Sequence, residues 1–202
     1  MDTLVLYGSL ASMRLTQDFG VSPEYYARFL DGFGVPEKGH MGRDWEAHHG
    51  EPVYASCDGV VHFERDSHGG EGMVIKTPPR SYKGQPAIYK VIHWHLVGDT
   101  DPKYPSPIPT DGNEYPVKVG DLIGYADNTG APFESTGDHL HRGLMPLSLN
   151  GITLEPHNGF NGCISSEPYE SLVFAKNVPQ LNTLQITLVG VLQKLLAALT
   201  NK

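Results

Sequence analysis

Cysteine is scarce in this chain, with two residues among 202, Cys57 and Cys163. Two are too few for a disulfide framework, and neither lies in a Cys-x-x-Cys spacing, so a cysteine-built metal site is not expected. One bridge or two buried thiols would both fit, and thiols are the expectation. Basic residues are also in short supply. Lys and Arg number 15 against 23 Asp and Glu, for a formal net charge of -8. No basic run exists, which argues against nucleic acid as a partner. No stretch reaches the roughly 20 apolar residues of a membrane-spanning helix. The opening "MDTLVLYGSLASMRLTQ" lacks a basic start and a long apolar core, so it does not read as a signal peptide. Export would then use another route, or follow removal of a leader.

Turn formers are plentiful. The 23 glycines and 16 prolines are spread along the chain, which indicates many turns between short strands. Residues 1–15 alternate weakly, as a strand would. "SPEYYARFLDGFG", Ser22 to Gly34, has a capping residue, then Pro and Glu, and ends in glycine, which predicts a short helix. "EPVYASCDGVVHFERD" predicts two strands joined by a hairpin turn at Asp58-Gly59. "GMVIKTP", "AIYKVIHWHLVGD" and "DHLHRGLMPL" predict further strands, and "YPVKVGDLIGYADNTG" a strand, a Gly-Asp turn and a strand. The expected fold class is therefore mainly β, an antiparallel sheet domain centred on residues 50–147 with long loops. "TDPKYPSPIPTDGNEYP" is the longest and richest in proline. The end differs. Leu181, Leu184, Leu188, Val191 and Leu195 follow a 3-4 spacing, which predicts an amphipathic C-terminal helix. Such a helix packs back on the domain, frays, or serves self-association or contact with the cell envelope. The expected division is a domain over 1–175 and a linker with the helix over 176–202.

Ten histidines are present. His48, His49, His62 and His68 sit in turn or surface contexts. Four others lie in denser settings. His40 and Asp44 are four residues apart, which puts them on one face of a helix or strand, and Gly39 and Gly42 disfavour the helix. A turn-stabilising His-Asp hydrogen bond or half of a cation site both satisfy that spacing. His139 and His141 share one side of an extended strand, roughly 7 Å apart at about 3.3 Å per step. Both could reach one metal, or one could hold it while the other faces water, or both could make ordinary polar contacts. Strand alternation places His93 and His95 together, with Ile92 and Trp94 on the opposite face.

Taken in order, these blocks resemble the lysostaphin/LytM family of zinc metallopeptidases. "GHMGRDWEAHHGEPVYASCDGVV" is similar to that family's His-x-Gly-x-Asp block and the Gly-x-Pro-Val and Asp-Gly patterns after it. "WHL" stands at its Tyr-x-His-Leu, and "VKVGDLIGYADNTGAPFESTGDHLHRGL" at its final Thr-Gly-x-His-Leu-His block. The resemblance covers about residues 14–165. It implies one zinc ion held by His40, Asp44 and His141, with His95 and His139 as uncoordinated catalytic histidines. It also implies hydrolysis of peptide bonds in bacterial cell-wall peptidoglycan, with a peptidoglycan peptide as substrate, and an extracellular, cell-envelope or phage-associated location. A non-catalytic wall-binding or regulatory module of the same fold and a virion-associated lytic protein are the alternatives. Loops around 24–39, 98–116 and 150–165, with Tyr104, Tyr115, Asn158 and Asn161, are expected to line the groove. The chain departs from the family pattern at three places. His93 replaces a Tyr, Asp138 a Pro, and Arg142 a large apolar residue. Asp138 and Arg142 are expected either to change substrate preference or to pair with each other across the strand end.

Overall fold

Strand-forming stretches in this protein find their partners far along the chain more often than next door. The structure, a computed structural model, describes residues 2–67, 69–130 and 135–179. The predicted C-terminal helix and His68 lie outside the described residues. Among those described, no helix is long and apolar enough to cross a membrane.

The central strands are β3 (Arg43–Glu46), β5 (Gly59–Asp66), β6 (Gly70–Lys76), β8 (Gln85–Trp94) and β11 (His139–Leu147). With β2 (Leu15–Gln17) and β9 (Tyr115–Val117) they form an antiparallel sheet in the order β2-β3-β11-β8-β6-β5-β9. A short β7 (Arg80–Tyr82) folds back on β8. Two small ribbons complete the fold. β4 (Pro52–Tyr54) pairs with β10 (Leu122–Tyr125), and β1 (Leu6–Gly8) pairs in parallel with β12 (Glu170–Phe174). Alternation sorts the side chains. Trp45, Val61, Phe63, Met73, Ile75, Tyr89, Val91, Leu140 and Leu144 enter the main core, closed by Leu4, Leu6 and Leu10 from the N-terminus. The opposite face carries a smaller cluster of Val74, Ile92 and Cys163, and its open part becomes the cleft.

Three local expectations give way to tertiary contacts. The Asp58-Gly59 bend joins strands of different sheets rather than closing a hairpin. The Asp58 carboxylate accepts the Val119 N–H at 2.9 Å and pairs with Lys118 at 2.9 Å, which stitches the bend to a distant loop. The strands flanking Gly120-Asp121 likewise separate, β9 to β5 and β10 to β4. The Ser22–Gly34 helix shrinks to one turn, α1 (Pro23–Tyr26). Ser22 is left-handed, at φ 55°, and its side chain caps nothing. The chain beyond is shaped instead by the Asp31 carboxylate, which accepts the N–H groups of Phe33 and Val35 at 2.9 Å. At the N-terminus only Leu6–Gly8 and Leu15–Gln17 are strand. His62 is not a turn residue but lies in β5, 2.8 Å from Glu64. Both cysteines are free and buried, and burial pushes each thiol up to about 12.

His93 is fully buried on the core side, with Nε2 3.3 Å from Ser9 Oγ. Burial, and then the Arg142 charge, push its imidazole down to about 3, against an ordinary value near 6.5. The unfolded chain therefore takes up a proton that the fold refuses, so His93's contribution to stability is complete above about pH 6.5 and is lost as pH falls toward 3. Between pH 6.5 and 5 that loss amounts to about 2 kcal/mol. Urea unfolding in chelator at several pH values should show it, and His93→Gln should have a shallower pH dependence. Identical dependences for the two proteins would refute this origin.

Candidate metal centre

The five residues singled out by sequence come together at one end of the sheet. His40 lies in the loop before β3, Asp44 in β3, His95 just past β8, and His139 and His141 at the start of β11. β11 lies between β3 and β8, with His141 opposite Asp44 on one side and Trp94 on the other. Leu140, fully buried, points into the core, and alternation turns the two flanking histidines into the cleft.

His40 Nε2, Asp44 Oδ1 and His141 Nδ1 converge. His40 Nε2 is 3.0 Å from His141 Nδ1 and 3.2 Å from Asp44 Oδ1, and His141 Nδ1 is 2.9 Å from Asp44 Oδ1. The tautomer of His40 follows from its other nitrogen. Nδ1 is 3.2 Å from the Asp18 carbonyl, which can only accept, so Nδ1 carries a proton and, in the neutral ring, Nε2 presents a lone pair. A carboxylate and an imidazole lone pair facing each other at this range repel unless a cation or a proton lies between them. Atoms bound about 2.0–2.2 Å from one ion at tetrahedral corners would sit about 3.3–3.6 Å apart, a few tenths of an ångström wider than the spacing seen. Two imidazoles and a carboxylate suit zinc, and the residues present fit it. Where protons rather than a cation lie between these atoms, burial would raise the Asp44 carboxyl, but the hydrogen bonds then donated by His141 and His40 outweigh it and hold the group well below the usual carboxylate range. Burial pushes the His141 imidazole below its ordinary value in spite of Asp44 beside it. Gly42 is required by close approach, since a Cβ there would meet the His141 ring at 2.6 Å.

His139 and His95 stand beside this triangle. Their ring centroids are 4.5 Å apart, and the His95 ring is 5.8 Å from that of His141. His139 Nδ1 donates to the Gly137 carbonyl at 2.7 Å, so in the neutral ring Nε2 is the free acceptor, 3.6 Å from Asp44 Oδ2. The backbone of Asp127 bridges the pair, donating to the His95 carbonyl at 2.7 Å and accepting from the His139 N–H at 3.3 Å. Burial, then the neighbouring histidines, push His95 down to about 3, so it is neutral at pH 7. Its Nδ1 is buried without a hydrogen-bond partner. His95 does not share a face with His93. It adopts φ 64°, a left-handed conformation that breaks alternation, so it joins Ile92 and Trp94 in the cleft while His93 turns inward. Non-glycine residues in that region carry strain of order 1–3 kcal/mol, a feature that gathers at functional sites.

The cleft encloses about 490 Å³. Tyr26, Phe29 and Leu30 from the 24–39 loop and Asn161 from the 150–165 loop line it, as expected. Among the described residues its lining takes none from 98–116, and neither Tyr104, Tyr115 nor Asn158 is there. Tyr104 instead packs on His49 and Tyr125. Asp138 and Arg142 do not pair. Asp138 accepts the His49 N–H at 3.2 Å, whereas Arg142 is fully buried on the core side and bound to Glu170 at 2.6 Å. The orienting carbonyls of Asp18 and Gly137 escape a reading of side-chain types, because backbone groups carry no residue signature.

No family model matches the sequence. The chain is 32% identical over 145 residues to the DD-carboxypeptidase/endopeptidase Mpg of Neisseria meningitidis serogroup B, covering 68% of this chain. It spans only 28% of that relative's length. The same identity and coverage hold for the protein of that name from Neisseria gonorrhoeae. Among solved structures, the catalytic domain of the antimicrobial peptidase lysostaphin from Staphylococcus simulans superposes with a TM-score of 0.50 at 20% identity, over 78% of this chain and 91% of that one. A zinc-containing peptidase from Vibrio cholerae does so at 0.50 and 19% identity, over 85% and 41%. At these identities the two structures speak to the fold, which is the mainly β fold of lysostaphin.

Metal content of purified variants should separate the residues. His40→Ala, Asp44→Ala and His141→Ala should each lose bound zinc, while His95→Ala and His139→Ala should retain about one ion per chain. Loss of metal from the second pair, or retention in the first, would overturn the division.

Proposed function

From a chain that carries a lysostaphin/LytM-type domain, we propose a zinc-dependent endopeptidase that hydrolyses peptide bonds in bacterial cell-wall peptidoglycan. The observation that carries the proposal is the convergence of His40, Asp44 and His141 with His95 and His139 beside them in one cleft. The Neisseria relatives, named for carboxypeptidase and endopeptidase activity, support a peptidase. Cell-wall action places the protein at the envelope or outside the cell.

When bound, zinc polarises a peptide carbonyl and brings the pKa of a water from 15.7 down to about 7. The protein's own groups do the remainder. His40, Asp44 and His141 would hold the ion as three protein ligands. His139 Nε2, its tautomer set by Gly137, is placed to accept a proton and return it to the leaving amine. His95 is neutral at working pH and can donate to a developing oxyanion without first losing a charge. Tyr26, Phe29 and Leu30 line the cleft beside these groups.

Incubating purified protein with isolated cell walls and identifying released fragments by mass tests the proposal and names the bond. Chelator should abolish release and added zinc restore it. His139→Ala should lower turnover about 10²- to 10³-fold with metal still bound. Undiminished turnover by that variant, or release indifferent to chelator, would remove the proposal.

A further inference from the structure

β3 and β11 carry two of the three converging ligands, and the residue beside each ligand is an arginine. Arg43 precedes Asp44, and Arg142 follows His141. These arginines are direct cross-strand partners on the core side of the sheet. Both are buried, Arg142 completely and Arg43 at 9% exposure, and both guanidinium groups pack on the Trp45 ring, at 5.1 and 5.7 Å. Like charges directly opposite each other force two strands apart, and the effect grows away from water. A counter-ion is needed between them.

Glu170 in β12 supplies it. One oxygen is 2.6 Å from Arg142 Nη2, and the other is 3.5 Å from Arg43 Nη1. Ser166 Oγ donates to that second oxygen at 2.7 Å and fixes the carboxylate. Arg142 is also tied to the Tyr7 carbonyl at 3.0 Å, on β1, the strand beside β12. The network reaches the third ligand as well. Arg43 Nε donates to the Asp18 carboxylate at 2.8 Å, and the Asp18 carbonyl accepts from His40 Nδ1. One carboxylate is thus linked, through one or two side chains, to the backbone beside Asp44 and His141 and to the group that orients His40.

We propose that Glu170 is a positioning residue for the metal centre: by neutralising the opposed Arg43 and Arg142, it holds β3 and β11 at the separation that brings Asp44 and His141 together. This rests on the reading of the three converging side chains as a metal site. Glu170 lies beyond residues 14–165, where the sequence resemblance ends, and Arg142 is itself a departure from the family pattern. The device is therefore a property of this chain's own terminal ribbon, β1 with β12.

The test measures affinity for zinc by chelator competition, together with the absorption spectrum of the cobalt-substituted protein. Glu170→Gln should weaken zinc binding about 10- to 100-fold, the usual size of an effect acting through a ligand's partner, and alter the cobalt spectrum. Removing one of the opposed charges in the double variant Glu170→Gln/Arg142→Met should return much of the affinity. A generally loosened fold would not recover in this way. Affinity and spectrum unchanged in Glu170→Gln, or a double variant no better than the single, would overturn the positioning role. Absence of zinc binding by the parent protein would instead overturn the metal site itself, so the two failures are distinguishable.

Discussion

Three electron-rich atoms held about 3 Å from one another are the constraint on which the rest of the molecule depends. With neither a cation nor a proton between them they repel: in the neutral ring His40 Nε2 presents a lone pair, because its other nitrogen is committed to a carbonyl, and Asp44 has no proton to give. The arrangement persists because each side chain leaves a rigid element whose direction is fixed by burial on the opposite face. Leu140 and Trp45 anchor β11 and β3 from the core side. Their placement converts a hydrophobic alternation into a fixed array of polar groups.

The same sheet serves two chemistries, one on each face. Beneath it, apolar packing is interrupted by His93, Arg43 and Arg142, all buried and all linked to the terminal ribbon or its loop. Above it, the cleft gathers four histidines and Asp44. Buried charge is costly unless fully compensated, and here compensation comes from Glu170 and Asp18 rather than from removal of the charge. The chain's ends thereby become part of the support of its centre, although they contribute no ligand.

Much of the site was legible in the linear sequence. The types and spacings of His40, Asp44, His139 and His141 fit a metal centre, and strand alternation put both histidines of β11 on one side. Alternation failed at the end of β8, at His95, because a left-handed backbone is a single-residue event that periodicity averages over. Turn chemistry failed at Asp58-Gly59 for a different reason. The dipeptide does bend the chain, but the Asp58 side chain is claimed by Lys118 and Val119, so the flanking strands go to different sheets. Arg142 misled most. As an exposed strand-end charge it would have met Asp138, yet it travels inward to Tyr7, 135 residues earlier.

The sequence by itself indicated the mainly β content, through local periodicity, and, through the ordered motifs of the family it resembles, the five side chains at the centre; it left one bridge or two thiols open, which the structure resolves as two free thiols. Tertiary structure alone decided which strands pair, which way His95 faces, which carbonyls orient the imidazoles and where the buried arginines find their counter-ion. The contacts of His93 and Arg142 join residues 84 and 135 positions apart, which no short window of sequence contains, whereas His95 turns on one left-handed residue and His139 on a carbonyl two residues away, neither of which residue types disclose.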